Sequence, residues 1–312
     1  MTAIRRILGQ APIRSYRTWP LLLACIGIIA VCFAMEAVFH LYRHYPYDES
    51  GLVTRLSVLQ LSTICIFMAR TYSLRLRSFP KRSRKDPWVF WLLCSLAFAY
   101  LAMDEKMLLH EGIGHIIRDN IWTGEGSFSS RADDYIVGIY GIFAAILAWK
   151  YRWEILRAPR AILFGLGGFA GLAGTVVLDT LSHRDDFVGL LIHNPDLLEW
   201  VLEAMARAEE ACKLLGEAFF LAAAHAVLRR VMEDFPVDDL YLNRNTRRWQ
   251  WTLFAILMIL AVAFSLEHPE VFARVWFLHL VPLAAFALLA ARAMGFTPSE
   301  QGPAERTPAG ES

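Results

Sequence analysis

Acidic and histidine side chains recur within or beside long apolar stretches of this sequence. At about 100° of rotation per helical residue, Asp104, Glu111 and His115 fall on one face within about 40° of one another. On the same continuous helix, Glu105 and His110 point away from that face. Ionisable groups inside a bilayer are costly and normally face the interior of a helix bundle, where they mark a functional site. This face is therefore a candidate site.

Three other apolar stretches repeat the pattern. Each offers two ionisable side chains that share a helical face, because residues four or seven apart lie on the same side of a helix. The pairs are Asp179 with His183, Glu210 with Glu217, and Glu36 with His40. We expect these faces to converge on one polar cavity.

Carboxylates and neutral imidazoles together form a ligand set suited to a divalent metal such as zinc, iron or manganese. A metal-bound water at such a site can be activated for hydrolysis, with Glu111 or Glu210 as the general base. Glu36 and His40 are secondary candidates. The predicted ligand pool consists of Asp104, Glu111, His115, Asp179, His183, Glu210 and Glu217.

Simpler interpretations of the same residues stay open. The 104–115 segment is also typical of a helix end whose charges are solvated beyond the headgroups, and Asp179 with His183 also fits an ordinary ion pair. Arg207 and Lys213 are expected to pair with carboxylates three or four residues away on their own helix. Isolated histidines such as His110 and His225 are more typical of packing.

Eight apolar runs of roughly membrane-spanning length must position these side chains. A bilayer crossing requires about 20 residues, and 56% of the chain is hydrophobic while 20% is charged. We therefore predict an all-α, polytopic bundle in one domain, residues 1–294, followed by a disordered tail at 295–312. The runs lie at 19–41, 52–70, 87–109, 135–151, 161–181, 199–229, 250–266 and 271–293. The second run is polar and the fourth is short, so six or seven spans remain an alternative.

The distribution of lysine and arginine predicts the orientation of the bundle. Cytoplasmic loops carry the excess of these residues, and an eight-span model with both termini in the cytoplasm places most of them inside. In that model the acidic and histidine pairs lie at the outer ends of the first, third, fifth and sixth spans. The predicted cavity therefore opens toward the non-cytoplasmic side.

Charge and cysteine usage narrow the possible partners. The formal net charge is +1, which gives no indication of a nucleic-acid partner, so the expected partners are the lipid bilayer and a lipid or other amphiphilic substrate. All five cysteines fall inside predicted spans without a CxxC pair. They are expected to be packing residues rather than thiolate ligands.

Two segments carry a resemblance to known proteins. Met103-Asp-Glu running to His110-Glu111, together with Glu209-Glu210 and Gly216-Glu217, resembles a pattern in bacterial multi-spanning membrane proteins of uncharacterised function. The resemblance implies a location in the bacterial plasma membrane and implies no activity. The alkaline-ceramidase-like hydrolases are not matched, because their late His-x-x-x-His pair is missing here.

Three functions are compatible with these observations. A metal-dependent membrane hydrolase of a lipid or amphiphile uses the predicted ligand pool directly. A proton- or ion-coupled transporter needs polar groups in both leaflets, and the inner halves of the predicted spans offer few, chiefly Gln60, Ser62 and Thr63. A non-catalytic sensor or assembly protein needs only a stable ion pair or metal.

Overall fold

Long apolar runs form long helices in a computed structural model of the protein, which describes residues 18–43, 51–77, 88–120, 132–182, 185–233, 240–266 and 269–294. Nearly all of these residues are helical, and none of them lies in a strand. The helices of the described ranges are α1 (Thr18–Arg43), α2 (Leu52–Arg77), α3 (Trp88–Met107), α4 (Leu109–Asn120), α5 (Ala132–Lys150), α6 (Arg152–Ile155), α7 (Pro159–Ser182), α8 (Asp185–Leu191), α9 (Pro195–Glu233), α10 (Leu240–Leu266) and α11 (Pro269–Ala293).

Five of these helices are long and apolar enough to cross a membrane. They are α1, in its portion Thr18–Ala37, α2, α3, α7 and α9. Shorter apolar segments lie at Gly138–Lys150, Trp251–Ala263 and Leu280–Ala291, where the fourth, seventh and eighth spans are predicted. The prediction of an all-α transmembrane bundle is confirmed. The count of eight spans and the cytoplasmic location of both termini remain predictions. The predicted tail at 295–312 lies outside the described residues.

Helix α2 is the most enclosed of the five candidate spans and buries several polar side chains. In the most apolar part of α2, 72% of the residues are buried, against 17% in α7. Ser57, Gln60 and Thr63 are fully buried on α2, whereas α7 exposes Leu163 and Leu166 on the outside of the bundle. The polar residues of α2 therefore reflect a position among other helices, where a span need not be apolar on every side.

Helices α7 and α9 approach each other through glycines. A Cβ atom on Gly171 would lie 2.5 Å from the Cα of Gly216 and 2.9 Å from the carbonyl oxygen of Cys212. Gly167 and Gly168 in turn receive the rings of Phe219 and Phe220. Small residues allow this close packing, which is a common means of helix association in membranes.

A break separates α3 from α4 at Leu108. Its φ of 51° lies in the left-handed region, which a branched side chain rarely adopts. The Leu108 N–H donates to the Asp104 carbonyl at 2.7 Å, and the Gly112 N–H donates to the Leu108 carbonyl at 3.0 Å. The third predicted span therefore ends at Met107 and a second helix begins at Leu109.

Candidate functional site

Three carboxylates and one ammonium group meet between α3 and α9. The Lys213 Nζ lies 2.9 Å from Glu105 Oε1 and 2.8 Å from Glu210 Oε2. Glu217 is one helical turn beyond Lys213 and interacts electrostatically with Lys213, Glu105 and Glu210. We call Glu105, Glu210, Lys213 and Glu217 the acidic cluster. Lys213 joins two helices by binding a carboxylate of each.

Glu217 is the most deeply buried member of the acidic cluster, with 3% of its surface exposed. Its Oε1 accepts a 2.7 Å hydrogen bond from the Ser57 hydroxyl of α2. Its Oε2 has no hydrogen-bond partner among the residues that the structure describes. An ionised carboxylate in this position would be costly, because burial of an incompletely paired charge is unfavourable.

Glu36 connects α1 to the same end of the bundle. Its Oε1 accepts a 3.0 Å hydrogen bond from the Val53 N–H in the first turn of α2, where a carboxylate also interacts favourably with the helix dipole. The charges of Arg55 and Glu210 both act on Glu36. If Glu36 and Arg55 are counted with the acidic cluster, four carboxylates face two cationic groups among the residues that the structure describes, so negative charge is in excess there.

Glu36, Ser57 and the acidic cluster all lie in the part of the chain that matches a protein family. A family model described as a domain of unknown function (DUF8692) matches residues 34–228. The chain belongs to the DUF8692 family. No curated protein and no solved structure matches the chain. The DUF8692 segment runs from the end of α1 into α9 and includes Glu36, Ser57 and the acidic cluster, and its description assigns no activity.

A second acidic and histidine contact lies beside the acidic cluster in the DUF8692 segment. The backbone N–H of His110 donates to Asp104 Oδ1 at 2.8 Å, and the His110 Nδ1 lies 3.1 Å from Asp104 Oδ2. The His110 Nε2 lies 4.0 Å from Glu111 Oε1. Asp104 is 5% exposed. A buried aspartate thus fixes the orientation of an imidazole whose other nitrogen faces Glu111.

This contact corrects the expectation that His110 and Glu105 point away from Asp104 and its partners. That expectation assumed one continuous helix, whereas the chain breaks at Leu108. The break brings His110 back onto Asp104 and leaves Glu105 directed at Lys213 of α9. His110, interpreted from sequence as a packing residue, instead contacts the most buried carboxylate of its segment.

The other predicted ligands are distributed unevenly. Asp179 is half-buried near the end of α7. The side chains of His40 and His115 and the whole of His183 lie outside the described residues. Within the part of the chain that the structure describes, no group of three or more His, Cys, Asp or Glu side chains has the arrangement of a metal site. The predicted convergence of all seven ligands, and the metal itself, therefore remain predictions.

Sequence reasoning predicted two members of the acidic cluster and missed two. Glu210 and Glu217 were predicted from their shared helical face. Lys213 was expected to pair locally, and it does contact Glu210, but its contact with Glu105 comes from a distant part of the chain. Ser57 lies in the second predicted span, whose polarity left a smaller number of spans as an alternative. One sequence feature could have indicated this site. Lys213 lies between Glu210 and Glu217 on one face of an apolar helix, where a cation is expected to need carboxylate partners.

Helix α2 also buries polar side chains at a distance from the acidic cluster. At about 100° per residue, Ser57, Gln60, Thr71 and Arg75 fall within about 60° of one another, and all four are buried. The Thr71 hydroxyl donates to the Phe67 carbonyl at 2.9 Å. Neither side-chain polar atom of Gln60 has a hydrogen-bond partner in the described ranges. Polar side chains are therefore buried at both ends of this face of α2, while the apolar Ile64 and Met68 lie between Gln60 and Thr71.

Proposed function

We propose that the protein is a proton- or cation-coupled membrane protein and that the acidic cluster binds the coupling ion. The observation that carries the proposal is the excess of carboxylates over cationic groups around Lys213, with Glu217 almost completely buried. Charge of one sign is not tolerated in a low-dielectric interior without a compensating ion. Protonation of a carboxylate or binding of a cation supplies the missing positive charge.

The length of α9 supports a position inside the apolar layer. At a rise of about 1.5 Å per residue, Glu210 lies about 30 Å along the helix from Arg230, which is the thickness of the hydrocarbon layer. With Arg230 at one headgroup level, Glu210 is at the other level. Glu217 then lies about 10 Å below the surface. A carboxylate at this depth is typical of ion and proton pathways.

Polar side chains buried at both ends of one face of α2 favour coupling over a closed enzyme cavity. Ser57 and Gln60 lie toward the acidic cluster, and Arg75 lies at the opposite end of the helix. Ser57 and Arg75 are about 27 Å apart along the helix, nearly the full hydrocarbon thickness. A coupled carrier has to connect these two polar ends past the apolar Ile64 and Met68.

Infrared titration of the purified protein tests ion loading at Glu217. We expect the carbonyl band of a protonated carboxylic acid in the native protein, and we expect that band to be lost in Glu217→Gln. Glu203→Gln is the matched control, since Glu203 lies on the same helix, is 41% exposed and pairs with Arg207. A native protein whose carboxylates are all ionised and hold no cation would contradict the proposal.

Proteoliposomes test whether loading is coupled to movement across the membrane. With a pH-sensitive dye inside the vesicles and an imposed membrane potential, we expect proton or cation flux from the native protein and at least a tenfold lower flux from Glu217→Gln. The Glu203→Gln variant should keep native flux. Flux that is equally low for native protein and empty vesicles would leave an ion-binding protein without transport.

A metal-dependent hydrolase is the second candidate. The specific observation in its favour is that Glu217 Oε2 has no hydrogen-bond partner among the described residues and lies near the Glu210 carboxylate, since a divalent metal would satisfy both carboxylates. Elemental analysis of detergent-purified protein separates the candidates. Stoichiometric zinc, iron or manganese in the native protein, lost in Glu217→Gln and retained in Glu203→Gln, would favour the metal. In either case we propose that the acidic cluster faces the non-cytoplasmic side of a bacterial plasma membrane.

A further inference from the structure

A cavity of about 290 Å³ lies at the far end of α2 from the acidic cluster. Its polar lining is mainly cationic, and its remaining walls are apolar. It lies between the end of α2, the start of α3, the turn after α6 and the last turns of α9. The lining residues are Arg75, Trp91, Glu154, Arg157, Ala158, Val227, Arg230 and Val231. We call this space the arginine cavity.

The floor of the arginine cavity is formed by a buried ion pair between Arg75 and Glu154. Arg75 donates from Nε to Glu154 Oε1 at 2.7 Å and from Nη2 to Oε2 at 3.0 Å. The indole N–H of Trp91 adds a 3.1 Å hydrogen bond to Glu154 Oε1. Two-point arginine–carboxylate pairing of this kind fixes both side chains. Arg75 and Glu154 therefore neutralise each other and hold the shape of the cavity.

The rim of the arginine cavity carries the surplus positive charge. The Arg157 Nε is 3.5 Å from Glu154 Oε2, and the Arg230 Nη1 is 3.5 Å from Glu233 Oε2. Both arginine side chains are more than half exposed, at 59% and 54%. Their contacts are long and Glu154 is already bound by Arg75. Both guanidinium groups thus retain donors for an anion that enters the cavity.

Aromatic residues indicate that the cavity lies at the level of the lipid headgroups. Trp149 and Trp153 are 72% and 70% exposed, and Arg152 lies over both rings, at 4.9 and 5.2 Å from their centroids. Exposed tryptophans of this kind form the interfacial belt of membrane proteins. Glu154 immediately follows Trp153, so the floor of the cavity lies at the depth of this belt.

We propose that the arginine cavity binds a phosphate anion of the type that phospholipid headgroups carry. Guanidinium groups bind phosphate oxygens through two parallel hydrogen bonds, and basic pockets between transmembrane helices are suited to anionic headgroups. Val227, Val231 and Ala158 provide an apolar wall for the first methylene groups of the acyl chains of a lipid. The site is separate from the acidic cluster and does not rest on the proposed ion coupling.

Thermal unfolding of the full-length protein in a neutral detergent tests the site. The probes are phosphatidylglycerol, phosphatidylcholine and inorganic phosphate. Phosphatidylglycerol should stabilise the native protein at lower concentration than phosphatidylcholine. The double variant Arg157→Gln/Arg230→Gln should weaken this effect by about tenfold or more, because each charged hydrogen bond contributes roughly tenfold to affinity. Stabilisation by inorganic phosphate alone, lost in the same variant, would identify a free anion as the ligand.

The matched control is the double variant Arg152→Gln/Arg207→Gln, which removes the same charge from outside the cavity. It should change the phosphatidylglycerol dependence by less than about twofold, because exposed charges contribute little individually. An equal loss in both double variants would assign the effect to diffuse surface charge and overturn the proposal. No stabilisation of the native protein by either phosphatidylglycerol or inorganic phosphate would also overturn it.

Discussion

The two ends of α2 carry opposite charge patterns and differ in burial. At one end, three carboxylates surround Lys213, and Glu217 is 3% exposed. At the other end, Arg75 and Arg157 both contact the single carboxylate of Glu154. Arg157 and Arg230 are more than half exposed there, and Arg230 also contacts Glu233. One carboxylate, Glu217, is thus enclosed by protein at the first end, whereas the excess positive charge at the second end is exposed.

This difference in burial decides what each end requires. An exposed surplus of arginines is screened by water, salt or headgroups at little cost. The Glu217 carboxylate is enclosed between helices and has no such screening, so it requires a proton or a bound cation. An excess of one charge sign occurs at both ends and does not by itself distinguish them. The difference in burial is the reason that we propose an internal ion site at one end and an interfacial anion site at the other.

The largest effect is expected from Lys213→Met, which removes the cation of the acidic cluster. Three carboxylates are then left without their shared partner, and the loss in free energy of unfolding should be about 3–5 kcal/mol, as for other broken buried ion pairs. Chemical denaturation of the detergent-solubilised protein measures this loss. Lys213→Arg, which keeps the charge, should recover much of it. A loss below about 1 kcal/mol would indicate that the acidic cluster is solvated, as for exposed pairs.

At the opposite end, Glu154→Gln should cost about 3 kcal/mol, because Arg75 is left buried without its counter-charge. The Arg75 side chain is 6% exposed, so water cannot replace the Glu154 carboxylate. The control is Glu233→Gln, which breaks the exposed pair with Arg230 and should cost less than about 1 kcal/mol. Equal losses in free energy of unfolding for the two variants would show that the Arg75–Glu154 pair on the floor of the arginine cavity is no more important than an exposed pair.

A third variant, Gly171→Ala, changes helix packing near the acidic cluster and leaves the charge unchanged. Gly171→Ala places a Cβ 2.5 Å from the backbone of Gly216, and overpacking of this kind should cost about 1–3 kcal/mol. Gly165→Ala is the control, since a Cβ there meets nothing within 4 Å. It should be neutral or slightly stabilising through helix propensity. Differential scanning fluorimetry compares the two variants, and indistinguishable melting temperatures would disprove the close contact.

The smallest effect is expected from Ser57→Ala, which removes the 2.7 Å hydrogen bond to Glu217. The expected loss is about 0.5–1.5 kcal/mol, the usual value for a hydrogen bond between neutral groups, because Glu217 is proposed to be protonated. Ser62→Ala, at a half-buried position of the same helix, should be nearly neutral. The infrared band assigned to Glu217 should also shift in Ser57→Ala alone. An unshifted band would separate Ser57 from the acidic cluster.

The sequence was sufficient to predict the membrane class and part of the acidic cluster. Apolar run length directly reflects bilayer thickness, so the helical bundle followed from composition. Glu210 and Glu217 were predicted because one uninterrupted helix carries both. The partner of Lys213 on α3 was not predictable, since a sequence pattern gives neighbours on one helix and not across two. The contact with Glu105 depends on how α3 and α9 pack.

One expectation was wrong for an identifiable physical reason. The break at Leu108 has no sequence signal, because leucine is a good helix former and no proline or glycine occupies that position. Helical periodicity therefore assigned His110 to the wrong side of its segment.

The second predicted span was the weakest of the eight because of its polar residues, yet α2 is one of the five candidate spans. Hydropathy cannot distinguish a poor span from one whose polar residues face other helices.

The glycine contact between α7 and α9 also limits how the bundle can move. The backbones of α7 and α9 touch at Gly171 and Gly216, so a movement of one helix that the other does not share would disrupt this contact. Lys213 and Glu217 belong to α9, whereas Glu105 and Ser57 belong to α3 and α2. A joint movement of α7 and α9 against α2 and α3 would therefore separate these two pairs, where the ion is proposed to bind.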